Sequence, residues 1–235
     1  MSHPIALLLA YADGTPAAAF TPGALDSSDP FGNVRHVAYR GDDGVSAGFV
    51  QASVELVVED YPYTEMLVVH AGKVSLQDEQ QTLELSVGDS AVIGRGTALR
   101  VQAQAGSLWA FCTLNQGAEH KPGLTQLDAR AALNPSQAPD AQILIGPAPQ
   151  CRSFNAFADS ASDLLIGVWD STPYARRSRP HKVHELMHLI EGSVTLQLAD
   201  GAELKVNTGD TVFVAQGAPC AWESNVYVRK LYVVK

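Results

Sequence analysis

An internal repeat constrains the fold of this chain more than any other feature. The segments 65–77 and 185–197 each carry a glutamate and, after six intervening residues, a glycine, at a shift of 120 residues. The match continues upstream at a shift of 119 and downstream, where a Gly-Asp pair recurs, at a shift of 121. Two copies of one small domain therefore account for most of the 235 residues.

The residues of the repeat follow the pattern of β-strands. Ser193–Leu198 alternates between polar and apolar residues, meets an Asp-Gly pair at 200–201 and alternates again over 203–206, which is typical of a hairpin. Similar alternation occurs at 83–87 and at 226–234, and no window carries a long helical period. We therefore predict an all-β chain.

The repeat also suggests the domain limits. We predict an N-terminal β domain over residues 1–120 and a C-terminal β domain over 151–235. The segment between them, 121–150, contains Asn-Pro-Ser-Gln-Ala-Pro and Gly-Pro-Ala-Pro, a Pro-rich and non-periodic composition that is typical of a connector.

Charge and composition exclude several partners. The net charge is −9, and the only concentration of positive charge is the short cluster 176–179, which suits a solvated loop or a rim that faces an anion. We therefore expect no nucleic-acid partner. No apolar run reaches the ~18 residues that a membrane-spanning helix needs, so we expect no membrane partner. Three cysteines, an odd number, favour a reducing compartment, and we expect a cytoplasmic protein.

Both copies share an order of motifs: a Glu, six residues, a Gly, an alternating hairpin, a Gly-Asp pair and a second turn glycine. This order resembles the cupin pattern. The segments 167–173, 217–222 and 228–232 further resemble the single-domain cupin family related to (S)-ureidoglycine aminohydrolase and the ethanolamine-utilisation cupins. The resemblance implies a bicupin of two tandem double-stranded β-helix (jelly-roll, RmlC-like) barrels, a small-molecule ligand and a homodimer.

The cupin motif implies a site in the second copy. Its second histidine, its glutamate and its last histidine map to His181, Glu185 and Cys220, and these residues would bind one divalent metal ion, Zn, Fe or Mn. Arg179 stands at the first histidine position, and we expect it and Trp222 to contact substrate.

The first copy carries no such donor set. The same mapping places Glu59, Tyr61, Glu65 and Leu99 at the four ligand positions, with neither histidine nor cysteine among them. We therefore expect this copy to act as a scaffold or as a partner for the second barrel.

Two functions follow from these residues. The first is a metal-dependent enzyme that acts on a small polar metabolite carrying a carboxylate in the C-terminal barrel, with no catalytic residue assigned. Ureidoglycine aminohydrolase is a manganese bicupin, but its ligand order differs from the Arg, His, Glu and Cys of this chain. The alternative is a metal-free barrel that binds a small molecule or has a regulatory role.

A competing motif is His184-Glu185-x-x-His188, which matches the zinc-peptidase signature. That chemistry requires both histidines on one face of a helix, whereas Pro180 precedes the motif, Gly192 follows it, and the next segment alternates as a strand. A zinc peptidase is therefore only a remote alternative.

Overall fold

The computed structural model describes residues 5–235, so residues 1–4 of the predicted N-terminal domain lie outside the described residues. Within 5–235, no helix is long and apolar enough to cross a membrane. One turn of 3-10 helix occurs at Gly32–Val34, and strands make up most of the remaining regular structure.

The strands, in chain order, fall into two sets. Those up to residue 126 are β1 (Ala6–Ala10), β2 (Thr21–Pro22), β3 (Arg35–Arg40), β4 (Val45–Gln51), β5 (Val54–Val58), β6 (Thr64–Ala71), β7 (Val74–Gln77), β8 (Thr82–Leu85), β9 (Ser90–Ile93), β10 (Leu99–Ala103), β11 (Leu108–Leu114) and β12 (Leu124–Gln126). Those that follow are β13 (Asn134–Ser136), β14 (Leu144–Ile145), β15 (Cys151–Asp159), β16 (Leu164–Ser171), β17 (Tyr174–Pro180), β18 (Glu185–Glu191), β19 (Ser193–Leu198), β20 (Glu203–Asn207), β21 (Thr211–Val214), β22 (Pro219–Ser224) and β23 (Val228–Val234).

These strands form two barrels, each made of one larger and one smaller antiparallel sheet. In the first barrel, a seven-stranded sheet of order β12-β9-β6-β11-β4-β3-β2 packs on a four-stranded sheet of order β5-β10-β7-β8. In the second, a seven-stranded sheet of order β1-β21-β18-β23-β16-β15-β13 packs on a five-stranded sheet of order β14-β17-β22-β19-β20. The predicted all-β fold of two tandem jelly-roll barrels is confirmed.

Three large apolar cores and one small cluster hold the barrels together. Alternate residues of β6 point in opposite directions: Leu67 and Val69 fill the interior of the first barrel, whereas Met66 and Val68 belong to a second cluster. That cluster, the shared core, also contains residues of β16, β18, β21 and β23, such as Leu186. The two seven-stranded sheets therefore face each other, and the interior of the second barrel forms the third core.

The segment that precedes each barrel in the chain supplies an edge strand to the other barrel. β1 precedes the first barrel in the chain but pairs with β21 of the second barrel. β12 precedes the second barrel but pairs with β9 of the first. Because β9 and β21 are equivalent in the repeat, the exchange is reciprocal. The predicted domain limits at residues 120 and 151 stay a prediction. The pairing of β1 and β12 shows in addition that each barrel contains an edge strand from outside its own run of sequence.

The glycines of the repeat have a conformational reason. Gly72 and Gly192 end the turns after β6 and β18 with φ of +69° and +84°. A Cβ added to Gly192 would also collide with the backbone carbonyl of Tyr227. Only glycine adopts such a conformation without strain, which explains why both copies retain it.

We predict that the exchanged strand stabilises the whole molecule. Leu9 of β1 is fully buried in the shared core, so Leu9→Ala should lower the free energy of unfolding by ~2–5 kcal/mol. Ile5, one residue before the strand, is 43% exposed, so the control Ile5→Ala should change the free energy by less than ~0.5 kcal/mol. Urea unfolding of both variants measures the difference, and equal losses would contradict the assigned role of β1.

A buried histidine pair lies between the two barrels. The rings of His70 on β6 and His188 on β18 are 5.4 Å apart, and both contact the Thr211 hydroxyl, at 2.7 Å from His70 Nε2 and 2.9 Å from His188 Nδ1. His70 Nδ1 lies 3.0 Å from the Tyr11 carbonyl oxygen and donates to it, so its Nε2 accepts from Thr211 when the ring is neutral. Burial lowers the pKa of both histidines, and that of His188 to about 3.

This pair predicts a loss of stability in acid. Below about pH 6.5 His188 is protonated in the unfolded chain but stays neutral in the folded one. The free energy of unfolding therefore falls as the pH drops from about 6.5 towards about 3. The loss is up to ~1.4 kcal/mol for each pH unit. His188→Asn should flatten the dependence of unfolding free energy on pH between 6.5 and 5, whereas His120→Asn, at an exposed position, should not. Parallel curves for wild type and His188→Asn would refute the prediction.

Candidate functional site

The second barrel encloses a cavity of about 640 Å³ between its two sheets. Its walls come from β16, β17, β18, β22 and β23, and residues 137–141 of the predicted connector lie at its edge. The sequence-predicted residues Arg179, His181, Glu185, Cys220 and Trp222 all line this cavity.

Glu185 makes two charged or polar contacts at the centre of the cavity. Its Oε1 lies 2.7 Å from Nζ of Lys230, and its Oε2 lies 2.8 Å from Nε2 of His181. Burial alone would raise the pKa of Glu185, but Lys230 and His181 outweigh it and hold the pKa well below its usual range. Glu185 is therefore an ionised carboxylate at neutral pH.

Aromatic rings form the wall behind Lys230. Its ammonium lies 4.7 Å from the ring centre of Trp169 and 5.2 Å from that of Trp222, a distance at which cation–π attraction operates. Tyr174 stacks on Trp222 with an interplanar angle of 17°, and the Trp222 indole N–H donates to the Ser224 hydroxyl at 3.3 Å. Trp222 is thus fixed by Tyr174 on one face of its ring and by Ser224 at its indole nitrogen.

Two arginines of β17 point into the cavity because the strand is bulged. Arg176 pairs with Trp222 and Arg179 with Cys220, and the register shifts between these pairs. In a regular strand, residues three apart face opposite sides, so the shift is what brings both arginines inside. Arg177, between them, is exposed.

Neither inward arginine has a carboxylate partner in the described part of the chain. Arg176 donates from Nη1 to the Cys220 carbonyl oxygen at 2.8 Å, and Nε of Arg179 is buried without a hydrogen-bond partner. Burial and the nearby Arg176 guanidinium lower the pKa of Arg179. Neither cation therefore forms an ion pair with a described residue in the cavity, although the nearby Asp140 offsets part of the fall in the pKa of Arg179.

The donor set does not fit the metal site that the cupin motif implies. His181 and Glu185 meet, but Cys220 Sγ donates to the Ala221 carbonyl oxygen at 3.2 Å, and burial raises the pKa of its thiol. Metals bind the thiolate form of cysteine. Among residues 5–235, no three His, Cys, Asp or Glu side chains lie close enough to hold one ion.

The first barrel contains a related arrangement that is completely filled. Glu65 lies 2.7 Å from Nη2 of Arg35 and 2.8 Å from the Tyr61 hydroxyl, and the side chains of Glu65 and Arg35 are fully buried. The Arg35 guanidinium lies over the rings of Phe31 and Phe111, at 4.8 and 4.4 Å. Arg35 thus fills space beside Glu65, where the second barrel has its cavity.

The zinc-peptidase alternative does not fit the observed geometry. Glu185–Glu191 is a strand, so His184 and His188 point away from Glu185 and do not line the cavity. His184 accepts from the Gln216 backbone N–H and contacts Asp43 of the first barrel at 3.1 Å, and both histidines are at least 95% buried. They lie between the barrels rather than on the surface.

Two charged residues that line the cavity, Lys230 and Arg176, are not among the site residues predicted from the sequence. Lys230 was visible only as a lysine in the final strand, and nothing near it in sequence indicates a carboxylate partner 45 residues away. Arg176 belongs to the basic cluster 176–179. Within this cluster Arg177 is exposed, whereas Arg176 is only 6% exposed and lines the cavity.

Comparisons with known proteins agree with this fold. The EutQ-like cupin domain family matches residues 161–232. The putative glyoxylate-induced protein from Pseudomonas aeruginosa is similar at 18% identity, with 85% of this chain and 79% of that one covered and a TM-score of 0.53. The protein YlbA from E. coli, of the DUF861 family, is similar at 14% identity over 100% and 93% of the two chains, with a TM-score of 0.53. Such distant likeness supports the fold alone, and no curated protein matches this chain.

A much stronger similarity identifies the family. A protein of unknown function from Pseudomonas syringae pv. tomato str. DC3000, which belongs to the DUF861 family, is 56% identical to this chain. The alignment covers 99% of this chain and 100% of that one, with a TM-score of 0.97. This chain, a cupin-fold protein, therefore belongs to the DUF861 family.

Proposed function

We propose that the second barrel binds a small metabolite carrying a carboxylate, and that it does so without a metal ion. The observation that supports this proposal is the pair of inward arginines, Arg176 and Arg179, which line a cavity of about 640 Å³ and have no carboxylate partner among the described residues. Cavities of ~300–1,000 Å³ are of the size that encloses small molecules.

The charge of the cavity favours an anion. Four basic side chains line it, those of Arg176, Arg179, Lys182 and Lys230, against two acidic ones, although the whole chain has a net charge of −9. One of the acidic groups, Glu185, is already paired with Lys230. The other, Asp140, lies near Arg179 without pairing with it. A bound carboxylate would supply the ion-pair partner that both arginines lack among the described residues, and its two oxygens match the fork of a guanidinium.

The metal-dependent enzyme remains the second candidate, since His181 and Glu185 do meet in the cavity. The donor chemistry does not favour it, because the ammonium of Lys230 lies 2.7 Å from the carboxylate that would bind the ion. A homodimer and a cytoplasmic location stay predictions of the family resemblance and the composition.

Arg179→Gln should weaken anion binding while leaving the fold intact. Loss of one charged hydrogen-bond donor costs ~1.5–3 kcal/mol, so affinity for a small dicarboxylate such as succinate should fall by about 10- to 100-fold. Isothermal titration calorimetry on the untagged full chain measures the affinity, and succinamide, which has the same shape without charge, should not bind.

Arg177→Gln provides the matched control, because it removes an equal charge two residues away from a side chain that faces solvent. Its affinity should stay within about twofold of wild type. Equal weakening in both variants would show that general charge, and not the cavity, attracts the anion. Failure of a panel of small carboxylates to bind the wild-type protein would reject the proposed function.

A further inference from the structure

Each barrel buries a glutamate at the equivalent position of the repeat, and in each the residue four positions earlier makes a hydrogen bond to it. Glu65 and Glu185 occupy one position of the repeat, 120 residues apart, at the start of β6 and β18. Four residues before each glutamate, Tyr61 or His181 contacts its Oε2 at 2.8 Å. These two contacts differ in chemistry but not in place or length.

A basic side chain completes each arrangement. Arg35 Nη2 lies 2.7 Å from Glu65, and Lys230 Nζ lies 2.7 Å from Glu185. In each barrel two aromatic rings flank the cation, with their centres 4.4–5.2 Å from it. The Lys230 ammonium is therefore held by one carboxylate and by the negative faces of two rings, whereas the Arg35 guanidinium also pairs with the buried Asp29 at 2.9 Å.

The two cations do not come from the same position of the repeat. Arg35 lies on β3, whereas Lys230 lies on β23. In the sheet pairing, Lys230 is the partner of Leu189, and the equivalent partner of Val69 in the first barrel is Trp109, an uncharged residue. Duplication of the sequence therefore does not explain why both barrels have a cation beside the glutamate. The free-energy cost of burying a carboxylate without a counter-charge explains it.

We infer that in each barrel a basic side chain of the chain itself occupies the place beside the repeated glutamate that a metal ion takes in a metal-binding cupin. Lys230 is thus the built-in cation of the second cavity. It satisfies Glu185 and repels a divalent ion from it. This inference concerns the cation alone and does not require that any anion bind.

Only the second barrel leaves its cation within reach of small solutes. The side chains of Arg35 and Glu65 have no exposed surface, whereas those of Lys230 and Glu185 are 8% and 13% exposed and line the cavity. Removal of the Lys230 side chain beyond Cβ would leave a space bounded by Glu185 and two indole rings. A small primary ammonium ion has the charge and the shape to enter it.

The test is chemical rescue of Lys230→Ala by n-propylammonium, which has the same four heavy atoms that the substitution removes. The full untagged chain is used, and thermal unfolding is followed as propylammonium chloride is added. Potassium chloride at equal ionic strength and 1-propanol control for salt and for solvent. Lys182→Ala, which removes an exposed lysine at the same cavity, is the matched variant.

We expect Lys230→Ala to melt below wild type and propylammonium to restore most of the loss, with a saturable dependence on concentration as for one binding site. Wild type and Lys182→Ala should show no such recovery. The inference is overturned if Lys230→Ala is as stable as wild type, or if potassium chloride or 1-propanol stabilises it as well as propylammonium does.

A second comparison serves if Lys230→Ala does not fold. Lys230→Arg keeps a cation and should stay close to wild type in stability, whereas Lys230→Met, of similar length, should lose stability. Equal stability of these two variants would overturn the inference.

Zinc loading gives an independent readout. The wild-type chain should retain no zinc that depends on Glu185, because the ammonium is already there. One equivalent of zinc bound by wild type and lost in Glu185→Gln would show that a metal ion, and not Lys230, takes that position. Anion binding plays no part in this result, so the inference and the proposed function can fail separately.

Discussion

A carboxylate buried inside each barrel constrains the residues around it. An ionised carboxyl group without partners is too costly in an apolar interior, so each glutamate needs a counter-charge and hydrogen-bond donors. In the first barrel Arg35 and Tyr61 meet this need, and all three side chains are fully buried. In the second, Lys230 and His181 meet it from the wall of a cavity. The two barrels therefore meet the same need with cations from different strands, β3 in the first and β23 in the second.

The two barrels are not independent units. Their larger sheets share one apolar core, and β1, which precedes the first barrel in the chain, pairs with β21 of the second. Asp210 adds to this connection, since its two carboxylate oxygens accept from the backbone of Ala12 and from that of Asn207. The first barrel, with its own interior filled, thus supports the sheet on which Glu185 and Lys230 lie.

Much of the fold could be predicted from the sequence, because the repeat and the strand alternation reflect local geometry. Strands of the smaller sheets, such as Ser193–Leu198, alternate because only one face meets the core. The partners of Glu65 and Glu185 could not be predicted in this way. Arg35 lies 30 residues from Glu65, and Lys230 lies 45 residues from Glu185, so their contacts depend on strand pairing that no local pattern encodes.

The bulge in β17 is a second feature that the sequence pattern does not show. In a regular strand, either Arg176 or Arg179 would point away from the cavity. Both arginines line it only because the register of β17 shifts between them. The edge pairing of β1 with β21 escaped prediction for a related reason, since an apolar strand does not specify its partner. Resemblance to the cupin motif nevertheless selected five residues that line one cavity.

The central claim is that the second cavity is an anion site built around an internal cation. A crystal structure of the full chain grown with both zinc and succinate, with anomalous data at the zinc edge, tests it most directly. We predict a carboxylate between Arg176 and Arg179, with Lys230 still paired to Glu185. Zinc bound to His181 and Glu185, with Lys230 displaced from the carboxylate, would contradict it.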